Sequence, residues 1–494
     1  MNILMVYPLY PDTFWSFKHA LKFVSKKASF PPLGLLTVAS MLPKVWNKKL
    51  IDMNASDLTD DDIFWADFVF ISAMSIQSKS ANEVIQRCKK LNAKIVAGGP
   101  LFTSSPEYFQ GGVDHLILNE AEITLPLFLN DLKEGKAKQI YSSEDWADIK
   151  TTPLPLWELI SINNYTSMNI QYSRGCPFDC DFCDITVLYG RKPRTKTKEQ
   201  VIAELDALYF TGWRGPVFFV DDNFIGNKVK LKKEILPAIS EWMEKRKNPF
   251  YFNTEASINL SDDDELMRLM SKAGFEAVFI GIESPNEKSL LECNKPQNLN
   301  RNLIASVKRI QEAGLEVQGG FIVGFDNDPP VIFEELTNFI QQSGIVTAMV
   351  GLLNAPKGTK LQQRLLSEGR LLADFTGNNT DFSINFIPQM NPEVLLEGYK
   401  KILNTIYSPK YYYERVMRFM KDFEPKKKKV FHLNPNYILA LFRSMLKLGV
   451  VGEERIYYWK LFFWSLFHKP QLFSLAILFT IYGFHFKKIS NSFY

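Results

Sequence analysis

The sequence predicts an α/β protein with a doubly wound N-terminal sheet, a partial (β/α)6 barrel and a helical C-terminal region. Short apolar runs alternate with helical patterns twice along the chain. The alternation stops near residue 375, where aromatic and basic residues accumulate. A chain of 494 residues is also too long for one ordinary core. The predicted boundaries are 1–140 for the first sheet, 141–165 for a linker, 166–375 for the barrel and 376–494 for the helical region.

The N-terminal part has the pattern of a parallel sheet. The predicted strands are Asn2–Tyr7, Phe68–Ala73, Ile95–Ala97 and His115–Leu118, and the predicted helices are Leu33–Leu42 and Ser80–Leu91. Ligands of such sheets bind outside the carboxyl ends of the strands. Two strands end in the small-residue stretches Ser72–Met74 and Gly98–Pro100, where a bulky planar ligand can approach the backbone. No G-x-G-x-x-G follows the first strand, which argues against a dinucleotide. A cofactor-free, flavodoxin-like interaction domain fits the same pattern.

The second alternation supplies six strand–helix units. The predicted strands are Asn169–Ser173, Pro216–Val220, Phe250–Thr254, Ala277–Gly281, Val317–Val323 and Val346–Leu352, with helices that include Lys198–Tyr209, Asp262–Lys272 and Asn300–Glu312. Ser261 is expected to cap the helix that begins at Asp262. Six such units indicate a partial (β/α)6 barrel, whose active site lies at the carboxyl ends of the strands.

Three cysteines, Cys176, Cys180 and Cys183, follow the first barrel strand. Thiolates hold iron–sulfur clusters, and four usually close a [4Fe–4S] cube, so three on one short loop leave one iron open to a small ligand. A structural zinc site needs four ligands, and no fourth cysteine or histidine lies nearby. The remaining cysteines, Cys88 and Cys293, are distant in sequence. The loop therefore predicts one [4Fe–4S] cluster with an open iron.

Polar residues and glycines occur where the other barrel strands end. They include Asp222, Asn223, Glu255, Glu283, the glycine-rich fifth strand through Gly324, and the loop that contains Pro356. A carboxylate or an amide at each strand end suits a zwitterionic amino acid and a ribose diol. Taken singly, such acids are more often simply solvated, so the pattern acquires meaning only beside the cysteine loop.

The C-x3-C-x2-C motif, with Phe182 before its last cysteine, resembles that of the radical S-adenosylmethionine (SAM) enzymes. The resemblance implies that the amino acid end of SAM occupies the open iron and that reductive cleavage gives a 5′-deoxyadenosyl radical. It also implies an electron donor such as flavodoxin or ferredoxin. The implied SAM-binding residues are Asp222 and Asn223 near the amino group, Glu255 and Glu283 near the methionyl or ribose portion, and Gly324 and Pro356 near adenine; Phe182 of the motif is a further implied contact.

The small residues after two N-terminal strands resemble the S-x-L and G-G elements of cobalamin-binding domains. The implied cobalamin-binding residues are Ser72, Met74, Gly98, Gly99 and Pro100. The D-x-H-x-x-G element, which supplies a lower cobalt ligand in many of those domains, is missing, because Asp12 and His19 are seven residues apart. The resemblance therefore implies cobalamin without a protein histidine on cobalt.

Almost the whole chain resembles cobalamin-binding radical SAM proteins of the hopanoid C-2 methylase type, from Pro11–Lys18 through Lys26–Gly34 to Ile481–Phe486. This resemblance implies methylation of an unactivated carbon of a lipid or other apolar substrate, with one SAM giving the radical and a second SAM renewing the methyl group on cobalamin. Two alternatives remain open. One is a cobalamin-dependent radical SAM enzyme without methyl transfer, for ring closure or rearrangement. The other is a non-catalytic cobalamin or iron–sulfur sensor.

Charge and termini indicate the compartment and partners. A net charge of +4 at pH 7 does not suggest a global field for nucleic acid. The N-terminus, Met1–Tyr7, lacks the positively charged start and the small-residue cleavage site of a signal peptide. Free thiols also suit a reducing compartment. A cytoplasmic enzyme with a small-molecule substrate and no nucleic-acid partner is expected.

The C-terminal region is rich in aromatic and basic residues, including Tyr411–Tyr413, Lys426–Lys429, Tyr457–Trp464 and Gln471–Phe486. Amphipathic helices of this composition suit a membrane interface, so a peripheral contact with the cytoplasmic membrane face is one expectation. Helices that cover the open edge of the barrel are the other, and the two are compatible. The 17 residues between Lys469 and Lys487 are at the lower limit for a spanning helix and include polar residues, which ranks that possibility last.

Overall fold

The computed structural model describes residues 1–378, 381–425 and 435–491. The basic run Lys426–Lys429 lies outside the described residues. Two parallel sheets and a group of C-terminal helices make up the described chain. The predicted α/β class, the doubly wound sheet, the partial barrel and the helical C-terminal region are confirmed.

The N-terminal sheet has six parallel strands in the order β2-β1-β3-β4-β5-β6. The strands are β1 (Asn2–Tyr7), β2 (Asn47–Asp52), β3 (Phe68–Ser72), β4 (Ile95–Gly98), β5 (His115–Ile117) and β6 (Ile140–Tyr141). The helices are α1 (Lys18–Leu21), α2 (Leu33–Met41), α3 (Asp60–Trp65), α4 (Ser78–Lys90), α5 (Pro100–Ser104) and α6 (Ala121–Lys133). The strand order reverses beside β1, so the ligand crevice of this sheet lies beyond the carboxyl ends of β1 and β3.

The second sheet has six parallel strands in the order β14-β13-β12-β11-β10-β7. The strands are β7 (Met168–Ile170), β10 (Gly215–Phe219), β11 (Phe250–Ala256), β12 (Phe275–Glu283), β13 (Glu316–Val323) and β14 (Ala348–Leu352), while β8 (Ser173–Arg174) and β9 (Arg194–Thr195) form a separate antiparallel ribbon. The helices are α7 (Ile185–Tyr189), α8 (Lys198–Phe210), α9 (Lys228–Lys230), α10 (Leu236–Lys245), α11 (Asp264–Ala273), α12 (Glu287–Glu292), α13 (Leu303–Glu312), α14 (Ile332–Ser343) and α15 (Lys360–Ser367). This is the strand–helix succession of the partial barrel.

The alternation along β11 shows which face of the barrel sheet meets the helices. Phe250 stacks on Trp242 of α10 with ring centroids 5.3 Å apart, and the buried Phe252 contacts Phe275. Because successive side chains of a strand point to opposite faces, Tyr251 and Glu255 lie on the concave face. Functional groups at this face are therefore those at alternate positions, near the carboxyl ends of the strands.

The C-terminal helices close the barrel. They are α16 (Pro392–Ile406), α17 (Pro409–Asp422), α18 (Pro435–Ser444), α19 (Arg455–His468) and α20 (Phe473–Asn491), with a π-helical segment, Met445–Val451, after α18. On α16 and just after it, the hydroxyls of Tyr399 and Tyr407 donate hydrogen bonds to the carbonyls of Val350 (3.0 Å) and Ala348 (2.5 Å). These bonds satisfy acceptors on the edge strand β14, which would otherwise be open to pairing.

Helix α20 packs against the N-terminal segment rather than standing apart. Phe486 stacks on Phe14 with centroids 4.2 Å apart, and the imidazole Nε2 of His485 lies 2.9 Å from the Phe14 carbonyl oxygen. Among the described residues, one helical stretch, Pro470–Asn491, is long and apolar enough to cross a membrane, and 56% of its most apolar window is buried inside the molecule. The burial is that of a core helix.

Candidate cofactor-binding and active site

The three cysteines lie on the loop between β8 and α7, and each is half-buried. Burial raises the pKa of all three thiols; the neighbouring Asp184 and the other two cysteines raise that of Cys183 further. Ligating thiols must lose their protons, so bound iron would supply the compensating charge. Among the residues that the structure describes, no three potential ligands are grouped as for a single metal ion. Each thiolate of a [4Fe–4S] cube bonds a different iron, so three cysteines on one loop supply three of its four ligands.

Two amides approach the cysteine sulfurs. The Nδ2 of Asn223 lies 3.9 Å from the Sγ of Cys176, and the Nε2 of Gln297 lies 3.9 Å from the Sγ of Cys180. Hydrogen bonds to sulfur tune the reduction potential of an iron–sulfur cluster. Asn223, which we predicted as a SAM contact, therefore also lies beside the cluster loop. Gln297 was not found from the sequence.

Two consecutive carboxylates after β10 hold the polypeptide that enters the cysteine loop. Asp221 is buried and accepts hydrogen bonds from the Tyr172 amide (3.1 Å) and from the amide and hydroxyl of Ser173. Asp222 accepts a bond from the Gly175 amide at 2.8 Å. Burial raises the pKa of Asp221 to about 7 and that of Asp222 to about 6, against the opposing effect of these hydrogen bonds. One oxygen of Asp222 is thus used by the loop itself.

Glu255 lies on the concave face, one residue before strand β11 ends at Ala256. Burial, and then the negative charges of Asp222 and Asp221, raise the pKa of Glu255 to about 8. The carboxyl groups of Asp221, Asp222 and Glu255 therefore lie close together at the carboxyl ends of the barrel strands, beside the cysteine loop. We call this region the barrel mouth. A cation placed among these carboxyl groups, such as the ammonium group of an amino acid, would be strongly favoured. The arrangement fits the predicted SAM contacts, whose assignment stays a prediction.

Glu283 ends β12 in a left-handed conformation, with φ of 62°. Its Oε1 lies 2.6 Å from the Nζ of Lys295, and both residues are buried. The Lys295 ammonium also lies 6.0 Å from the centre of the Phe182 ring. The structure thus joins two predicted SAM residues, Glu283 and Phe182, through a lysine that sequence reasoning missed. Strained backbone at a site of this kind is typical of functional positions.

The fifth and sixth strands end in tight turns. Gly324 has φ of 107°, and its amide donates to Asp328 Oδ2 at 2.8 Å. Burial raises the pKa of Asp328 to about 6, although its hydrogen bonds with Ser289, Gly324 and Phe325 oppose the shift. Pro356 follows Ala355, whose amide donates a hydrogen bond to the buried Asn385 at 2.8 Å. Phe182, Phe325 and Ala355 belong to one apolar cluster, which brings both turns to the cysteine loop.

Glycines allow the backbone to pack closely at the crevice of the N-terminal sheet. Ser72 and Gly98 are opposite each other in register. A Cβ on Gly98 would lie 2.8 Å from the Ile117 carbonyl oxygen, and a Cβ on Gly99, whose φ is 94°, would lie 2.7 Å from Ser72 Oγ. Close backbone approach of a planar ligand fits this edge. The predicted cobalamin residues lie together there: Ser72, Met74, Gly98, Gly99 and Pro100.

The other side of the crevice is the loop after β1. The hydroxyls of Tyr7 and Tyr10 hydrogen-bond to each other, and burial raises the pKa of Tyr7 to about 12. Asp52, at the end of β2, accepts a bond from the Tyr165 hydroxyl at 2.9 Å. His19 packs beside His485 of α20, with ring centroids 5.6 Å apart. That no histidine reaches cobalt stays a prediction.

Sequence reasoning missed four site residues: Lys295, Gln297, Asp328 and Asp221. The first two lie on the loop Cys293–Asn298 after α12, and a buried lysine beside Pro296 carries no motif. Asp328 follows Gly324 by four residues, and that short spacing could have suggested a turn carboxylate. Asp221 was visible as half of an Asp-Asp pair, but only the structure shows which of the two turns inward.

Three family models match consecutive parts of the chain. A B12 binding domain matches residues 24–129, the Radical SAM superfamily matches residues 170–340, and a domain of unknown function (DUF4070) matches residues 359–493. The first region lies in the N-terminal sheet, the second contains most of the barrel, and the third begins at α15 and contains the C-terminal helices.

Two curated relatives match nearly the whole chain. An uncharacterized methyltransferase of Synechocystis sp. is 43% identical over 98% of this chain and 91% of its own length. Hopanoid C-2 methylase of Rhodopseudomonas palustris is 34% identical over 93% of this chain and 88% of its own length.

The fold also matches a solved structure, that of the radical SAM methyltransferase TsrM from Kitasatospora setae with cobalamin and a [4Fe-4S] cluster bound. The TM-score is 0.63 at 14% identity, and the match covers 99% of both chains. At this identity the likeness concerns the fold alone. The curated relatives and the family models carry the assignment further. The chain belongs to the cobalamin-binding radical SAM enzymes, in the methyltransferase family that includes hopanoid C-2 methylase and whose cofactors are a [4Fe–4S] cluster, S-adenosylmethionine and cobalamin.

Proposed function

We propose that this enzyme methylates an unactivated carbon of a lipid or similarly apolar substrate, which it meets at the cytoplasmic face of a membrane. The observation that carries the proposal is an apolar surface on the C-terminal helices. We define this apolar surface by its exposed side chains on α18, the π-helical segment and α19: Ile438, Leu439, Phe442, Leu446, Val450, Val451, Ile456, Phe463, Leu466 and Phe467. Soluble monomers rarely expose so many large apolar side chains on adjoining helices unless they bind a partner or a membrane.

Basic residues on the same helices favour a lipid headgroup over an apolar protein partner. Lys447, Arg455 and Lys460 are exposed beside the apolar surface. The exposed acid nearby, Glu453, is paired with Lys487 at 2.7 Å. Apolar side chains that enter the interface and cations that face anionic headgroups are the pattern of a peripheral membrane contact.

The concave face of the barrel supports an apolar substrate. Phe218 of β10 contacts Phe30 with centroids 5.4 Å apart, and Phe279 of β12 contacts Trp15 at 5.3 Å. Aromatic side chains of this kind bind apolar molecules and keep water from a reactive site. Phe218 and Phe279 lie on the concave face, which leads to the cysteine loop at the carboxyl ends of the strands. A substrate bound against them would therefore lie inside the barrel, near the site of the reaction.

Helix α18 connects the apolar surface with this concave face. Burial, and then the neighbouring Tyr437 of α18, raise the pKa of Tyr251 well above its usual value. Tyr482 of α20 also contributes to that shift. A lipid that leaves the membrane at α18 would therefore have a short path to the barrel, past three tyrosines whose rings are apolar and whose hydroxyls are polar.

When bound, the cofactors supply reductive cleavage of SAM and transfer of a methyl group. The chain's own residues do the rest. The three cysteines hold the cluster, Asn223 directs an amide toward its sulfur ligand, and the carboxyl groups around Glu255 receive a cationic ligand. The aromatic concave face orients the apolar substrate and excludes water. We also propose an electron donor of the flavodoxin or ferredoxin class.

Product analysis tests the proposed function. Lipids from cells with and without this chain should differ by products that carry one additional CH2 unit, and a Cys183→Ala variant should not form them. In vitro, each methylated product should accompany one 5′-deoxyadenosine and one S-adenosylhomocysteine. Deoxyadenosine formed with a ring-closed or rearranged product, and without S-adenosylhomocysteine, would replace methylation by the alternative reaction class.

Vesicle binding tests the membrane contact separately. The double variant Phe442→Ser and Leu446→Ser should reduce partitioning onto anionic vesicles by at least about tenfold, because each side chain loses roughly 1–2 kcal/mol of apolar transfer. Phe210→Ser, which changes an exposed phenylalanine of α8, is the matched control. These substitutions test the apolar surface more specifically than truncation after residue 430, because the truncation would also remove the buried helix α20. Equal partitioning of all three proteins would refute the membrane contact.

A further inference from the structure

The cysteine loop is closed at its base by a two-stranded ribbon with an unfavourable charge pair. Residues 173–174 lead into the loop and residues 194–195 lead out of it, and Arg174 is directly opposite Arg194 in the register. Like charges at opposite positions of an antiparallel pair repel each other. The ribbon therefore needs a counter-charge from elsewhere in the molecule.

Two glutamates of the N-terminal domain supply that counter-charge. The Oε1 of Glu120 accepts from Arg174 Nη1 at 2.8 Å, and its Oε2 accepts from Arg194 Nη1 at 2.7 Å. Glu122 receives both terminal nitrogens of Arg174, at 3.1 and 2.8 Å. One carboxylate thus bridges the two opposed arginines, and the second completes a fork with Arg174, which is the geometry that Arg–carboxylate pairs favour.

The network is buried, unlike most ion pairs of this protein. The side chains of Glu120, Glu122 and Arg174 are 2%, 7% and 13% exposed. Although burial opposes its charged form, Arg174 lowers the pKa of Glu122 to about 2. Buried charges of this kind depend strongly on each other's position, because neither can be solvated if the pair separates.

The linker joins the same network. The Ala147 amide donates to Glu120 Oε2 at 2.8 Å, and the Ala147 carbonyl accepts from Arg194 Nη1 at 2.7 Å. A Cβ on Gly190, at the end of α7, would lie 3.0 Å from the Trp146 ring, so the linker is in direct contact with the cysteine loop. The N-terminal sheet, the linker and the loop are held at one point.

We propose that Glu120 and Glu122 are positioning residues that set the distance and orientation of the cysteine loop relative to the cobalamin crevice. Both follow β5, which pairs with β4, the strand whose end at Gly98 forms the crevice. The same sheet therefore forms the crevice at the end of β4 and holds the cysteine loop through the glutamates that follow β5. The inference depends on the cofactor set of the family and not on the identity of the substrate.

The reaction explains why this distance matters. Two cofactors must act on one substrate carbon, and a misplacement of about 1 Å can cost about 100-fold in rate. A contact that only stabilised the fold would not need to bridge the two cofactor domains beside the cluster. Among the described residues, the other ion pair between these two domains, Lys357 with Glu107, joins side chains that are 36% and 49% exposed, as an ordinary surface contact does.

The test uses holoenzyme loaded with cluster and cobalamin. The variants are Glu122→Gln, Glu120→Gln and Arg174→Lys, with Glu134→Gln, an exposed glutamate just after α6, as the matched control. Pulsed electron paramagnetic resonance measures the magnetic interaction between cob(II)alamin and the reduced cluster. We expect iron and cobalt contents near those of the parent, with a shifted or broadened distance distribution in the three variants and no change in the control. Arg174→Lys keeps the charge but not the fork, so it should show an intermediate effect.

A second readout covers variants with altered stability. On any methyl-accepting substrate, the ratio of methylated product to 5′-deoxyadenosine should fall on the order of tenfold to 100-fold in Glu122→Gln, because SAM cleavage needs only the cluster. An unchanged distance distribution in Glu122→Gln and Arg174→Lys, at normal cofactor content, would overturn the proposal. So would loss of the cluster itself in both variants, since the glutamates would then support the loop's fold and not its placement.

Discussion

The barrel mouth and the crevice of the N-terminal sheet differ in what their residues offer a ligand. The mouth concentrates buried charge: Asp221, Asp222 and Glu255 near the cysteine loop, and the Glu283–Lys295 pair across it. The crevice instead contains glycines that let neighbouring backbone pack closely, because a Cβ at Gly98 or Gly99 would collide with the next strand or with Ser72. Charges hold a small zwitterion in one orientation, whereas small residues at strand ends suit a large planar cofactor. Substitutions should therefore act mainly through electrostatics in the mouth and through volume in the crevice.

The largest expected effect is loss of the cluster from the barrel with no change in the crevice. Replacement of Cys176, Cys180 or Cys183 by Ala should reduce iron from about four per chain to near zero, because a cube needs all three thiolates. Cobalamin binding should persist, since the crevice contains none of these residues. Iron and cobalt analysis of anaerobically reconstituted protein measures both. Cys88→Ala and Cys293→Ala are the controls, and iron surviving in the triple cysteine variant would contradict the cluster assignment.

The second effect concerns the buried ion pair of the mouth. Lys295→Met leaves the Glu283 carboxylate buried without its partner and should cost about 3–5 kcal/mol. The apparent melting temperature should fall by at least about 5 °C. The double variant Lys295→Met and Glu283→Met should recover much of the loss, because replacing both charges by apolar groups is often nearly neutral. A double variant no better than Lys295→Met would show that the lysine acts through other contacts, such as Phe182.

The difference between the charged barrel mouth and the glycine-rich crevice could be predicted from the sequence only in part. The cysteine motif and the glycines were visible because a fixed spacing or a small residue after a strand has a direct physical meaning. Strand β2 was missed, because its first half, Asn47–Lys49, is polar and only Leu50–Asp52 is buried. The cap predicted at Ser261 was wrong: Asp263 caps the helix, accepting from the Leu266 amide at 3.0 Å, while Ser261 is buried in the preceding turn.

The charged partners of the mouth could not be predicted for a different reason. Lys295 reaches Glu283 across a helix, and Glu120 reaches Arg174 from another domain. Such pairs depend on tertiary distances, and nothing in the local sequence distinguishes them from solvated charges. The structure brings the predicted SAM contacts to or near the cysteine loop, with Asp222 bonded to it directly, but only binding experiments test their roles.

A third effect is pH dependence from the mouth. The pKa of Glu255 is about 8 in the folded protein against 4.5 ordinarily, so the folded state keeps a proton that the unfolded chain loses. Unfolding free energy should therefore decrease as the pH rises from about 4.5 to 8 and change little from this group above that range. Glu255→Gln should flatten the profile of the cofactor-free protein. Denaturant titrations at several pH values measure it, and identical profiles for parent and variant would exclude Glu255 as the source.

The smallest effect comes from adding one methyl group in the crevice, and a second glycine outside it serves as the control. Gly99→Ala and Gly111→Ala both place a side chain at positive φ, 94° and 75°, which costs about 1–3 kcal/mol of stability in each, and Gly99→Ala adds the cost of a contact. Only the new Cβ at position 99 has a close neighbour, Ser72 Oγ at 2.7 Å, whereas the one at position 111 has none within 4 Å. Cobalamin affinity should therefore fall about tenfold or more in Gly99→Ala and remain unchanged in Gly111→Ala, as measured by equilibrium titration. Equal affinities in the two variants would mean that the packing of Gly99 on Ser72 does not matter for cobalamin, and the crevice would then bind it through other residues.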